Sequence, residues 1–192
     1  RDVNIFQQQH RIGLVAVAVL PRLLNLFLTP GKVYPLYGFH YATQRTISRL
    51  TNLHFFKNLT GDSSLILYYL SFIGYHQPNP VQTGSNFGPA VKHDTPYLVT
   101  VGSGTMVSDG LSIITSEVSN TSFRIVPTTI GEKNFFGNAV VYPSAGKTGE
   151  NCLFGTITMV PIDGPIREGV GLLGSPPFEI PRSVQRDSAF DE

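Results

Sequence analysis

A six-residue period in the second half of the chain restricts its possible folds more than any other feature. Val101, Val107 and Ile113 recur every six residues. The phase breaks between Thr115 and Thr129. It resumes at Ile130 and holds through Phe136, Tyr142, Thr148, Phe154, Val160 and Ile166, five of these seven being aliphatic or aromatic without a hydroxyl. Glycine follows the marked position at Gly131, Gly137, Gly149 and Gly155, and the pairs Val101-Gly102 and Val170-Gly171 repeat the pattern. An α-helix repeats at about 3.6 residues and a strand at 2, so neither produces this series. A coil with three flat faces of about six residues does. One side chain per face turns inward, and its neighbour sits at a tight corner where glycine tolerates positive φ. Such coils stack through parallel strands, because no coil buries its inner face alone. The fold class expected is mainly β, a parallel β-helix of hexapeptide repeats.

Composition agrees. Only 14% of the 192 residues are charged, Gly (19) and Pro (14) are plentiful, and Trp is absent. This describes short strands and tight turns rather than a helical bundle. A formal charge of +1 gives no reason to expect nucleic acid as a partner. Cys152 is the sole cysteine, so no intrachain disulfide can form and a reducing compartment is the natural setting. Cys152 reads as a small coil residue, not a nucleophile.

The chain divides into four parts. Residues 1–40 hold an apolar stretch, Ile12 to Leu28, followed by a turn-rich linker over 30–40. Seventeen apolar-rich residues interrupted by Pro21, Arg22 and Asn25 stand at the short end of what spans a bilayer, where roughly 20 is usual. Two readings remain open: an apolar helix packed on the domain, and the end of a membrane segment or interfacial helix. Residues 41–80 are predicted to form a small helical region, with helices over Ala42–Phe56 and Leu65–Phe72, Asp62 or Ser63 capping the latter, and the Pro78-Asn79-Pro80 run closing it. Residues 81–182 form the β-helix, from which the polar stretch Thr115–Thr129 projects as a loop. Residues 183–192 are a polar tail. The chain begins at Arg1 and ends in this tail, and it reads as a piece of a longer protein.

Several blocks resemble one family. They are Phe55-Phe56 with Gly61-Asp-Ser-Ser64; Val81-Gln-Thr-Gly-Ser-Asn-Phe-Gly88; His93, Pro96 and Leu98; Val101-Gly-Ser-Gly-Thr-Met-Val-Ser-Asp-Gly110; Thr121-Ser-Phe-Arg124; Ile130-Gly131, Asn134-Phe135 and Gly137-Asn138; and Val170-Gly-Leu-Leu-Gly-Ser-Pro-Pro-Phe-Glu-Ile-Pro-Arg182. The stretch that carries them runs from Thr51 to Asp187, about 70% of the chain. The stretch resembles the C-terminal soluble domains of the ε-poly-L-lysine synthetase-like non-ribosomal peptide synthetases, within the hexapeptide-repeat acyltransferase superfamily. That resemblance implies a left-handed coil, against the usual right-handed crossover preference. It implies an acyltransferase that forms amide bonds, coupling a carrier-bound aminoacyl thioester to a free amine. The chain looks like the last of three tandem domains on the cytoplasmic face of the cell membrane. The partners implied are carrier and adenylation domains of the same polypeptide, and tandem β-helix domains in a pseudo-trimer or a homotrimer. The membrane would be met through the N-terminal segment. No cofactor is implied on the chain itself, since the phosphopantetheine-bound substrate would arrive on a carrier domain in trans. Alternatives are a non-catalytic scaffold domain of the same synthetase and a free-standing CoA-dependent acetyltransferase, for which Gly174-Ser-Pro-Pro177 resembles the terminal coil.

Amide formation from a thioester needs a base for the attacking amine, donors for the oxyanion, and both substrates held close. Histidine suits the first task. His10 and His76 stand in polar or Pro-rich settings, His54 falls on the apolar face of a predicted helix, and His40 lies in the linker. His93, in Lys92-His93-Asp94 at the opening of the β-helix and at a family motif position, is the candidate base, with a structural histidine as the alternative. Asp109 is a candidate to orient an imidazole or bind the amine, or is simply a turn former. Glu117 and Arg124 in the projecting loop are candidates to hold the ammonium and carboxylate of an amino acid, or form a surface ion pair. Ser103, between Gly102 and Gly104, completes the candidate substrate contacts, beside backbone N–H groups that would serve the oxyanion. There is no phosphate-binding glycine loop before a helix and no Cys/His cluster with metal spacing, so neither a nucleotide nor a metal is expected.

Overall fold

The computed structural model describes residues 13, 17–60, 63–77, 87 and 90–182. The blocks at 61–62, 78–86 and 88–89 and the tail at 183–192 lie outside the described residues, as does part of the apolar stretch.

From Lys92 onward the chain is made of very short strands, most of them paired in parallel. The strands are β2 (Lys92–His93), β3 (Val99–Val101), β4 (Met106–Val107), β5 (Ser112–Ile113), β8 (Thr128–Ile130), β9 (Phe135–Phe136), β10 (Val141–Tyr142), β11 (Leu153–Phe154) and β12 (Val170–Leu173). They fall into three parallel stacks: β2–β5–β10, β3–β8 and β4–β9–β11–β12. Phe135 pairs with Leu153 and Leu153 with Gly171, offsets of 18 residues each, which is three faces of six. The six-residue period thus becomes a coil with three faces per turn. The marked residues fill its axis: Val107, Ile113, Phe136, Tyr142 and Phe154 are fully buried, with Val101, Ile130 and Val160 nearly so. Phe136 and Phe154 stack in parallel at 4.7 Å. Inside a prism this narrow the apolar columns supply most of the burial that drives folding.

Two expectations about this region change. Ile166 leaves the series and is 62% exposed. The chain loops out over 162–166, and Leu172, in register with Phe154, takes the next inward place on that face. The glycines also work differently from the sequence reading. Gly131 has no positive φ. A Cβ there would stand 2.2 Å from the Gly149 carbonyl oxygen, and one on Gly102 would stand 2.6 Å from Gly131. Gly102, Gly131 and Gly149 form a column in which successive coils approach too closely for any side chain.

The stretch Thr115–Thr129 is an ordered antiparallel hairpin, β6 (Ser116–Val118) with β7 (Ser122–Ile125). It lengthens one turn, so that Met106 pairs with Phe135 at an offset of 29 instead of 18. The segment read as a linker supplies the hairpin's third strand, β1 (Tyr34–Pro35), with Tyr34 opposite Phe123. Leu28, Tyr34, Ile47, Phe123 and Ile125 close a second small core there. Residues 17–25 are helical (α1), with Val17 and Ala18 buried and Leu23, Leu26 and Phe27 exposed. Among the described residues no helix is long and apolar enough to cross a membrane.

The helical region consists of α2 (Phe39–Thr51), α3 (His54–Thr60) and α4 (Leu65–Ile73). The single helix expected over 42–56 is broken at Asn52, whose Nδ2 donates to Ser48 O (2.8 Å) and ends the turn. Ser64 stands at the N-cap position of α4 without a side-chain cap bond, and Ser63 Oγ accepts from Leu65 N (3.3 Å) in its first turn, while Asp62 lies outside the described residues. Gly74 ends α4 at φ 129°, and a Cβ there would strike the Tyr97 ring at 2.4 Å. Ile66, Leu70 and Ile73 carry the core up from the coil's axis into these helices.

Candidate functional site

The first coil has a problem that the later ones lack. On one side β2 bonds to β5, Lys92 N donating to Leu111 O. Its other edge presents backbone groups with no strand to meet them, and buried groups of that kind must find partners. Helices α2 and α3 supply them. Asn52 Oδ1 accepts from His93 N (3.3 Å), and Asn52 Nδ2 donates to His93 O (2.6 Å). Ser48 Oγ also donates to His93 O (3.3 Å), and Lys57 Nζ donates to Val91 O (2.6 Å). Three polar side chains thereby cap the open end of the coil and hold two helices against it.

Between those helices and the strands lies a cleft of about 560 Å³. Ser48, Arg49, Asn52, His54 and Lys57 line it from the helices, and Lys92, Asp94 and Ser112 from the coil. Its charges are mostly positive. Asp94 is already engaged, Oδ2 accepting from Ser116 Oγ (2.7 Å) and from Thr115 N (3.2 Å). Lys57 is 1% exposed, and burial, aided by the neighbouring Lys92 ammonium, lowers its pKa to about 8.

His93 borders this cleft, but its ring belongs to the interior. It is in register with Ile113 and, one coil on, Tyr142, both fully buried, and is itself 3% exposed. The Tyr75 hydroxyl lies 3.0 Å from Nδ1, and buried Nε2 has no partner. Burial first, then the nearby Lys57 ammonium, lowers the His93 pKa to about 3, so the ring is neutral at ordinary pH. Burial also pushes the Tyr75 hydroxyl well above its usual range.

The other candidates lie outside the lining of the cleft. The contact that orients the His93 imidazole comes from Tyr75, not from Asp109. Asp109 sits at a turn, its Oδ1 accepting from Ala90 N at 3.4 Å. Glu117 and Arg124 pair with each other across the hairpin, Nη2 to Oε2 at 2.6 Å, and border a separate hollow of about 300 Å³. Ser103 stands at a coil corner, its carbonyl accepting from Lys133 N (2.8 Å). Gly102 N donates to Ile130 O in the stack and is not open to an oxyanion. Cys152 is buried, with its N–H donating to Asn134 Oδ1 (2.7 Å), and burial raises its thiol pKa. His54, read from the sequence as a core residue, is exposed on the cleft, because the break at Asn52 rotates the second half of the expected helix. Sequence reasoning passed over Lys57 and Tyr75. Their contacts with the 91–93 strand span 34 and 18 residues and leave no local pattern.

Among known proteins, no family profile matches the chain and no curated protein matches it. Solved structures do. A galactoside acetyltransferase in complex with coenzyme A superposes with a TM-score of 0.51 at 16% identity, covering 84% of this chain and 90% of that one. A maltose O-acetyltransferase from Clostridium difficile 630 superposes with a TM-score of 0.55 at 15% identity, covering 81% and 94%. At these identities the likeness is one of fold, and it extends over most of both chains.

Proposed function

We propose that the chain is an acyltransferase domain that moves an acyl group from a thioester to an acceptor seated in the cleft between α2–α3 and the first coil. The supporting observation is the fold shared with a galactoside acetyltransferase and a maltose O-acetyltransferase over more than four-fifths of the chain. On this reading the three-faced coil winds left-handed. His54, an imidazole exposed on the cleft, takes the proton from the attacking acceptor. A ring as weakly basic as His93 takes up little proton at neutral pH, so His93 acts by joining Tyr75 to the strand that borders the cleft. The motif resemblance supports a reaction within a membrane-bound polyamino-acid synthetase, with an aminoacyl thioester as donor and an amine as acceptor. A CoA-dependent acetyltransferase is the second reading, favoured by the coenzyme A in the first solved relative.

The test is transfer by the full-length protein carrying His54→Gln or His93→Gln, supplied in turn with acetyl-CoA and with aminoacylated carrier. Loss of transfer in His54→Gln, with thioester loading and folding intact, is the expected result. Full activity of that variant with loss in a folded His93→Gln protein would move the base to His93. Transfer by neither donor in the parent protein would leave a scaffold role.

A further inference from the structure

The cleft carries more positive charge than its construction needs. Capping a carbonyl of β2 requires only a neutral donor, as Asn52 demonstrates on His93 O. At Val91 O the donor is a lysine that is 1% exposed. An ammonium has three N–H donors, and this one spends a single bond on Val91 O, leaving two. Lys92 and Arg49, both exposed, border the same cleft. Among the described residues the ion pairs are Arg124–Glu117 and Arg167–Glu179, neither of which reaches it. The one acid in the lining, Asp94, is turned to Ser116 and Thr115. A buried cation without a counter-ion is costly, and such groups are ordinarily paired.

We infer that the cleft binds the carboxylate of an amino-acid or peptide acceptor, with Lys57 on its floor as the counter-ion and Lys92 and Arg49 at its rim. The assignment rests on the reading of this cleft as the acceptor's seat. A carboxylate suits the site in charge and valence: one negative charge and two oxygens meet one buried ammonium with two free N–H groups. An amino acid anchored by its carboxylate also carries its amine into the cleft, beside His54.

Equilibrium binding to the full chain tests this without any requirement for turnover. The probes are glycine, L-alanine and L-lysine, each against its carboxamide, with inorganic phosphate as the competing anion. At least one acid should bind roughly ten- to a hundred-fold more tightly than its amide, the range for a charge-assisted hydrogen bond in a desolvated site. Lys57→Met should erase that preference. Lys92→Gln, at an exposed position, should narrow it while leaving the fold untouched, which keeps the test open should the buried substitution fail to fold. Equal binding of acid and amide, tighter binding of phosphate, or no binding of any acid would overturn the inference. Carboxylate-selective binding in a protein that transfers no acyl group would retain the site and discard the acyltransferase reading. Transfer combined with carboxylate-blind binding would do the reverse.

Discussion

Substituting His93 by Gln isolates the cost of keeping an imidazole neutral inside the first coil. Glutamine can still meet the Tyr75 hydroxyl but does not titrate. In the folded protein the pKa of His93 is about 3, against 6.5 for the free side chain. Between those values the unfolded chain binds a proton that the folded chain refuses, so stability rises with pH through the window and is lost as pH falls. Each pH unit inside it is worth about 1.4 kcal/mol. From pH 8 to pH 5 the parent should therefore lose about 2 kcal/mol relative to His93→Gln, and about 4 kcal/mol by pH 3. Urea unfolding of both proteins across this range measures the difference, and the remaining histidines cancel because both proteins carry them. The ring's proton resonances should show no titration above pH 5. Parallel stability profiles, or a ring that titrates near neutrality, would refute the burial of His93 and with it the assignment of the ring to the interior.

Three further outcomes follow from the coil itself. Gly131→Ala must push apart two turns, because its Cβ would stand 2.2 Å from the Gly149 carbonyl oxygen. It should cost about 1–3 kcal/mol and lower Tm by about 2–12 °C in calorimetry, while Gly38→Ala, with nothing nearer than 3.5 Å, serves as the control. Phe154→Ala removes half of the Phe136 stack and should destabilise by about 3–5 kcal/mol in urea, whereas Ile166→Ala, on the surface, should stay within about 0.5 kcal/mol. Asn134→Ala orphans Cys152 N and Gly149 O, which its amide joins at 2.7 and 2.9 Å. The penalty is about 1–3 kcal/mol for each group, and hydrogen exchange should find the Cys152 amide less protected.

The axis of the coil was legible in the sequence. From Val101 to Val160 the six-residue series names the buried column except at half-buried Thr148, because each coil repeats one local geometry and most of its inward places take an apolar residue. The glycines after those residues were legible as positions, but not as a column of close contacts, since that depends on what the next coil brings alongside. The ends of the repeat were not legible. Ile166 fits the spacing and falls outside the core because the chain loops out before the last turn, and nothing in six residues of sequence records such a loop.

The cleft is a tertiary product. Asn52, Ser48 and Lys57 meet the 91–93 strand across 41, 45 and 34 residues, drawn there by the unsatisfied edge of the first coil. The docking of Tyr34 against Phe123 likewise turned a presumed linker into a strand. Local sequence fixes which residues repeat. Only the closure of long-range contacts decides that His93 turns inward, that His54 turns outward, and that a buried lysine is left beside them without an acid.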